Sequence, residues 1–328
     1  MSRRRSGRAR RIGTGALLIW CLLFLRCETT EQSMIRAVML ERSPQGWTAG
    51  LIYQAPEASA DSSEAVAEVR FAAAEDGTLA KALAAAEKAL LQKANYRLGD
   101  YLVLAQGARI DLLDEYEQLV LAQQCGRISA RVLSCGFSCS ELSEQSEEVD
   151  ALPEALLQCV KNSAAAAPYL YDRRAGCLMP RLVLTEEDAA PAEEGVFLSD
   201  SGELLLDAAQ TSAARLLAGA GETYTFWLDG RRVTLRCRGR AVQPEADGSF
   251  TIELDCQSAA GAQPPDAVQC EALEQLCART VRAFWDRGID LAGLGAAKAL
   301  CNIRTDSLEP AKNACPEVRT DVRLLFDF

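Results

Sequence analysis

Between Ala267 and Phe328 the hydrophobic period changes from that of a helix to that of a strand, and few folds accommodate the change. Over residues 268–287, Cys270, Leu273, Cys277, Val281 and Phe284 recur three or four apart and share one helical face. Glu271, Glu274, Gln275, Arg279 and Arg282 fall on the other face. Gly288 is placed to stop this helix, because glycine takes positive φ without strain. After a Gly-rich turn region at Gly293 and Gly295, Val322, Leu324, Phe326 and Phe328 alternate with Arg323, Leu325 and Asp327. That is the period of a half-buried strand. A long helix laid on an antiparallel sheet satisfies both patterns, so the expected fold class is α+β, with mixed sheets packed against helices.

The preceding chain carries the same two periods in shorter pieces. Met34 to Leu40, Trp47 to Gln54 and the stretch from Glu68 read as strands around a polar loop at Ser59–Glu64. Thr78 is the expected N-cap of a helix whose stripe is Leu79, Leu83, Ala86 and Leu90. Tyr101 to Ala105 reads as a central strand, Ile110 to Gln123 as a second helix and Ser129 to Leu133 as a further strand. Ser138 to Asp150 is acidic and Ser-rich, the composition of a linker or a solvated helix surface, and a short helix is expected from Leu152 to Val160. Beyond Leu178 strands dominate. Gly195–Leu198 and Glu203–Leu206 read as a hairpin, Ala208–Ala218 as a helix, and Asp229-Gly230 as a tight turn between Tyr224–Leu228 and Arg232–Cys237. Thr251–Asp255 is the last strand before the long helix.

A chain of 328 residues exceeds one typical domain. The expected division is a leader over 1–27, an α/β domain over 28–140, a linker or small middle domain over 141–180, and a C-terminal α+β domain over 181–328.

The leader is basic and then apolar. Arg3, Arg4, Arg5, Arg8, Arg10 and Arg11 precede the short run Ala16–Leu25, and Cys27 follows at the position of a lipoprotein cysteine. A lipid anchor on Cys27, a cleaved secretory peptide and a retained N-terminal anchor all place the body outside the cytoplasmic membrane. Of the 35 basic residues seven lie in this leader, leaving 28 against 46 acidic ones beyond it, a balance of −18. An acidic body repels nucleic acid, so no nucleic-acid partner is expected.

Histidine is absent. Ser-His-Asp, Cys-His and His-metal chemistry are thereby excluded. The sequence also shows no phosphate-binding loop, no metal-ligand cluster and no nucleophile with an obvious base, so the expected assignments are no catalytic residue, no metal site and no cofactor. Eleven of the thirteen cysteines lie beyond the leader, an odd number that an exported chain can pair only in part. Cys135 and Cys139 are the one close pair, and their spacing fits a local disulfide or free core thiols better than a metal site. Acidic pairs at Glu186/Glu187 and Glu193/Glu194 fall in a stretch of solvated charge and read as surface rather than as the paired carboxylates of a glycoside hydrolase.

The order of these pieces resembles the Ger(x)C (GerAC-like) family of spore germination proteins, the C subunits of germinant receptors. The resemblance rests on the strand Trp47–Gln54, on Glu75-Asp-Gly-Thr-Leu-Ala-Lys-Ala-Leu83, and on Asp100-Tyr-Leu-Val-Leu followed by Ile110-Asp-Leu-Leu-Asp-Glu-Tyr. It continues through Gly195-Val-Phe-Leu with Gly202-Glu-Leu, the strand pair around Asp229-Gly230, and the long helix running into Gly288-Ile-Asp290-Leu-Ala-Gly293-Leu-Gly295. The family's basic patch after the first helix is reduced here to Lys93 and Arg97. The resemblance implies a non-enzymatic, membrane-tethered subunit on the outer face of the spore inner membrane. Its implied partners are two integral membrane subunits, of A and B type, in nutrient-triggered germination, with Cys27 as the lipid anchor. The alternative is a stand-alone exported protein that binds a small ligand or a cell-wall component.

Overall fold

The computed structural model describes residues 32–44, 46–55, 68–90, 92–144, 146–163, 165–171, 177–185, 189–200, 202–219, 223–301 and 308–325. The leader with Cys27, the loop 59–64, Glu186/Glu187, Phe326 and Phe328 lie outside the described residues. The chain folds as α+β, with helices packed on two mixed sheets.

The first sheet starts as an antiparallel meander of β1 (Gln32–Ser43), β2 (Gly46–Gln54) and β3 (Val69–Asp76). Gly46 turns between β1 and β2 with φ 151°, and a Cβ there would lie 2.3 Å from the Asp76 carbonyl oxygen, so only glycine fits. Helix α1 (Leu79–Lys88) follows, and the Thr78 hydroxyl accepts from the Lys81 amide at 3.4 Å, as its sequence position predicts. Short β4 (Lys93–Asn95) lies beside the start of β1. Then β5 (Tyr101–Leu104), α2 (Ile110–Gln123) and β6 (Arg131–Cys135) add parallel strands. Helices α3 (Cys139–Glu144) and α4 (Ser146–Asn162) lead to β7 (Cys177–Leu184), β8 (Ala189–Ser199) and β9 (Gly202–Leu206). The strand order is β3-β2-β1-β5-β6-β7-β8-β9.

Both faces of this sheet are covered. Ile35, Val38, Leu40, Leu102 and Leu104 pack with Leu79 and Leu83 of α1 and with Leu112, Leu113 and Tyr116 of α2. Ala37, Met39, Val103 and Leu133 meet Leu142 of α3 and Leu152, Leu156 and Cys159 of α4 on the opposite side. Parallel strands covered on both faces read as continuous apolar runs, which is how Tyr101–Ala105 betrays its central place.

The second unit begins with α5 (Ala208–Ala218), capped by Asp207 and Gln210 in a reciprocal capping box. Strands β10 (Thr223–Leu228), β11 (Arg231–Pro244) and β12 (Phe250–Ser258) form an antiparallel meander. Asp229 and Gly230 turn β10 into β11 with φ of 49° and 70°, the left-handed pair that a two-residue hairpin needs. Helix α6 (Ala267–Trp285) lies on this sheet, its Leu273, Cys277, Val281 and Trp285 packing on Tyr224, Phe226, Leu235, Ile252 and Leu254. Helix α7 (Leu294–Cys301) and β13 (Val318–Leu324) complete the unit.

Three expectations change. Residues 141–180 are not a linker or middle domain: α4 takes up Ser146–Asn162 of the segment, and its Val149, Leu152, Leu156 and Cys159, with Leu142 of α3, form the apolar stripe that closes one face of the first sheet. The C-terminal domain does not begin at 181. Ser134 and Cys135 of β6 pair with Arg181 and Leu182, so β7, β8 and β9 extend the first sheet, with Met179, Val196 and Leu198 in its core. The last strand joins parallel rather than antiparallel to its neighbour β12, from Phe250↔Val318 to Cys256↔Leu324. The α6–α7 crossover carries the chain back to the end of the sheet from which β12 starts, and such a return makes strands parallel.

Candidate functional site

The sequence block after the long helix builds a joint. The Gly288 amide donates to the Trp285 carbonyl at 2.9 Å and the Ile289 amide to the Phe284 carbonyl at 3.0 Å, with Gly288 at φ 80°. This pair of bonds is a Schellman C-cap, and Ile289 packs beside Phe284 as that motif requires. Asp290 then caps α7: its two carboxylate oxygens accept from the amides of Leu294 and Gly295, each at 2.8 Å. A Cβ on Gly295 would stand 2.5 Å from the Leu308 carbonyl oxygen, so glycine lets that segment close over α7. Arg240 on β11 donates to the Ala292 carbonyl at 3.2 Å. The block therefore fixes the end of α6 against α7 and the sheet.

A polar cleft of about 740 Å3 opens where β1 begins, lined by Gln32, Lys93, Asn95, Arg97, Gln124 and Arg127 among others. Strand β4 brings Lys93 there by pairing it with Gln32, and a short turn over 96–98 carries Arg97. The Asn95 side chain fastens this corner: its amide donates to the Gln32 side chain at 2.5 Å and its oxygen accepts from the Arg97 amide at 3.0 Å. Gln124 ends α2 in the left-handed region at φ 57°. Gly126 follows, where a Cβ would strike the Tyr116 hydroxyl at 2.3 Å. Arg127 next to it ion-pairs with Asp100 at 2.5 Å and donates to the Arg97 carbonyl at 3.3 Å. Tyr96 donates to Glu87 at 2.7 Å, and burial holds its phenol far above the ordinary range. Lys93 and Arg97 are exposed. The cleft offers positive charge and hydrogen-bond donors on an acidic body, the chemistry that receives an anionic group or an acidic segment.

The structure thus brings together Lys93 and Arg97, the two basic residues singled out from sequence. Gln32, Asn95, Gln124 and Arg127 have no sequence pattern that unites them; they meet only through the β1–β4 pairing and the end of α2. Cys27 lies outside the described residues. Cys135 and Cys139 are both buried free thiols. The Cys135 thiol donates to the Phe137 carbonyl at 3.2 Å, and burial pushes it up to about 12. Glu194 pairs with Arg181 at 3.2 Å. Among the described residues no group of three or more Cys, Asp or Glu is arranged to hold a metal ion, and no helix is long and apolar enough to cross a membrane. Compared with family models, curated proteins and solved structures, the chain matches none.

Proposed function

We propose that the chain is a non-enzymatic, membrane-tethered subunit of a spore germinant receptor, resembling the C subunit of the Ger(x)C family. It works by docking against integral membrane subunits of A and B type on the outer face of the spore inner membrane, with Cys27 as its lipid anchor. The observation that carries the reading is the order and spacing of the blocks from Trp47 to Gly295 that resemble that family.

The cleft beside Gln32 supports it. Gln32 follows Cys27 by a few residues, so a body held at that cysteine keeps Lys93 and Arg97 close to the bilayer and to any membrane partner. A single acyl chain binds membranes only marginally; a diacylated cysteine or partner contacts supply the rest.

Two measurements test the proposal. A tagged chain is purified from spore membranes, and the gene is deleted and nutrient-triggered germination followed. The expected result is co-purification of two multi-span membrane proteins and loss of the nutrient response, with a lipid-modified Cys27 at the mature N-terminus. Isolation of the chain alone, with normal germination of the deletion spores, overturns the proposal in favour of a stand-alone exported binding protein.

A further inference from the structure

We infer that Cys237 and Cys256 form a cross-strand disulfide when the protein meets an oxidant, pinning β11 to β12. The inference rests on register and contact, and it stands whether or not the receptor reading does. The two residues are direct partners in the antiparallel β11–β12 pairing, immediately before the bulge between Cys237 and Gly239. Opposed residues in such a pair have Cα atoms about 4.5–5.5 Å apart, inside the range a disulfide spans. Both side chains point to the core side of the sheet and belong to one apolar cluster, and the Cys237 thiol donates to the Gly239 carbonyl across the bulge at 3.3 Å.

Cys256 has two other thiol neighbours, Cys270 and Cys277. Both belong to α6, the helix packed on the sheet, whereas Cys237 is the residue directly opposite Cys256 in the strand register. Cys237 is half-buried and Cys256 fully buried, so a reagent reaches the pair through Cys237.

The chemistry is thiol–disulfide exchange with an external disulfide, whether a small molecule or a dithiol oxidase. The Cys237 thiolate attacks one sulfur of that disulfide. A mixed disulfide forms and one thiolate leaves. Cys256 loses its proton and attacks the Cys237 sulfur, expelling the second thiolate. Two protein thiols are oxidised and one external disulfide is reduced to two thiols. Burial pushes the Cys256 thiol up to about 12, so the second step is slow at neutral pH and the finished bond is shielded from reductants.

The test uses the purified full chain incubated with oxidised glutathione, then digested without reduction by an acid-specific protease and read by mass spectrometry. The expected product joins the Cys237 and Cys256 peptides and raises the unfolding temperature by several degrees over the reduced protein. Cys277→Ala should keep the bond, while Cys237→Ala and Cys256→Ala should each abolish both the linked peptide and the shift. A link from Cys256 to Cys277 or Cys270 overturns the inference. So does a product carrying only glutathione adducts at the exposed Cys301, with no change in melting.

Discussion

Cysteine serves in this protein chiefly as a small core residue. Cys135, Cys159, Cys256 and Cys277 are buried, and burial pushes each thiol up to about 12 from an ordinary 9.0. The folded chain therefore keeps protons that the unfolded chain releases once the pH passes the ordinary thiol value. In that window the native state binds more protons, so stability falls as pH rises, by up to about 1.4 kcal/mol per pH unit for each thiol. The full contribution is present below pH 9 and is lost towards 12. Burial raises the Tyr116 phenol too, so it acts in the same direction. Under reducing conditions, urea unfolding at about pH 7 and about pH 10 should show a marked drop in midpoint. Cys277→Ala should shallow the slope; a midpoint that does not move with pH contradicts the assignment. The Gly295 carbonyl contact makes a second residue-level prediction. A methyl group there meets backbone oxygen rather than a yielding side chain, so Gly295→Ala should destabilise by about 1–3 kcal/mol in the same assay.

Helices and hairpins were legible because their signals are local. Thr78 caps α1, Ile110–Gln123 is helical over its whole expected length, and Asp229-Gly230 turns a hairpin, since each depends on residues a few positions apart. Strand partnership depends on residues far apart, for which the sequence carries no local signal. Nothing in Cys177–Leu206 announces that β7 joins β6 rather than β10, because an apolar run fits either sheet. Helix α4 was half-hidden, since its acidic first turns look like linker while its stripe of Val149, Leu152 and Leu156 faces the core. Helix α7 is short and starts inside the Gly-rich stretch, its signal being the Asp290 cap rather than a period. Capping also gives the prediction proper to α6. The Asp266 carboxylate accepts from the Gln269 amide at 2.9 Å, and the Gln269 side chain accepts from the Asp266 amide at 3.1 Å. Asp266→Ala removes half of that box and should cost about 1 kcal/mol, whereas Asp266→Ser should be nearly neutral. Equal losses for the two substitutions would show that the cap does not hold the helix.

Two sheets with separate cores need a coupling element to behave as one molecule, and Phe284 is placed to provide it. It projects from α6 onto Phe197 of β8, ring centroids 4.8 Å apart and near perpendicular, the edge-to-face arrangement aromatic rings favour. Leu204 and Leu206 of β9 and Ala214 of α5 complete a small cluster in which the first sheet meets the helical layer of the second. Helix α5 sits hard against β8 here: a Cβ on Gly195 would lie 2.7 Å from the Thr211 side chain. Arg287 adds one bond, donating to the Glu203 carbonyl at 3.5 Å. The periodicity of the long helix identified Phe284 as buried, but not that its partner belongs to the other sheet. The same limit applied to the cleft, where Lys93 and Arg97 were visible in sequence and Arg127 was not. Phe284→Ala should cost about 3–5 kcal/mol, as a large aromatic leaves a cavity at a packed junction. Its more telling effect should be on cooperativity. Calorimetry of the parent chain should give one transition, because the cluster makes each unit's unfolding expose apolar surface of the other. In Phe284→Ala that linkage weakens, and the transition should separate into two, the second unit melting first because α6 belongs to it. A single transition merely shifted to lower temperature would mean that α5 and its contacts with β8 suffice to couple the two sheets.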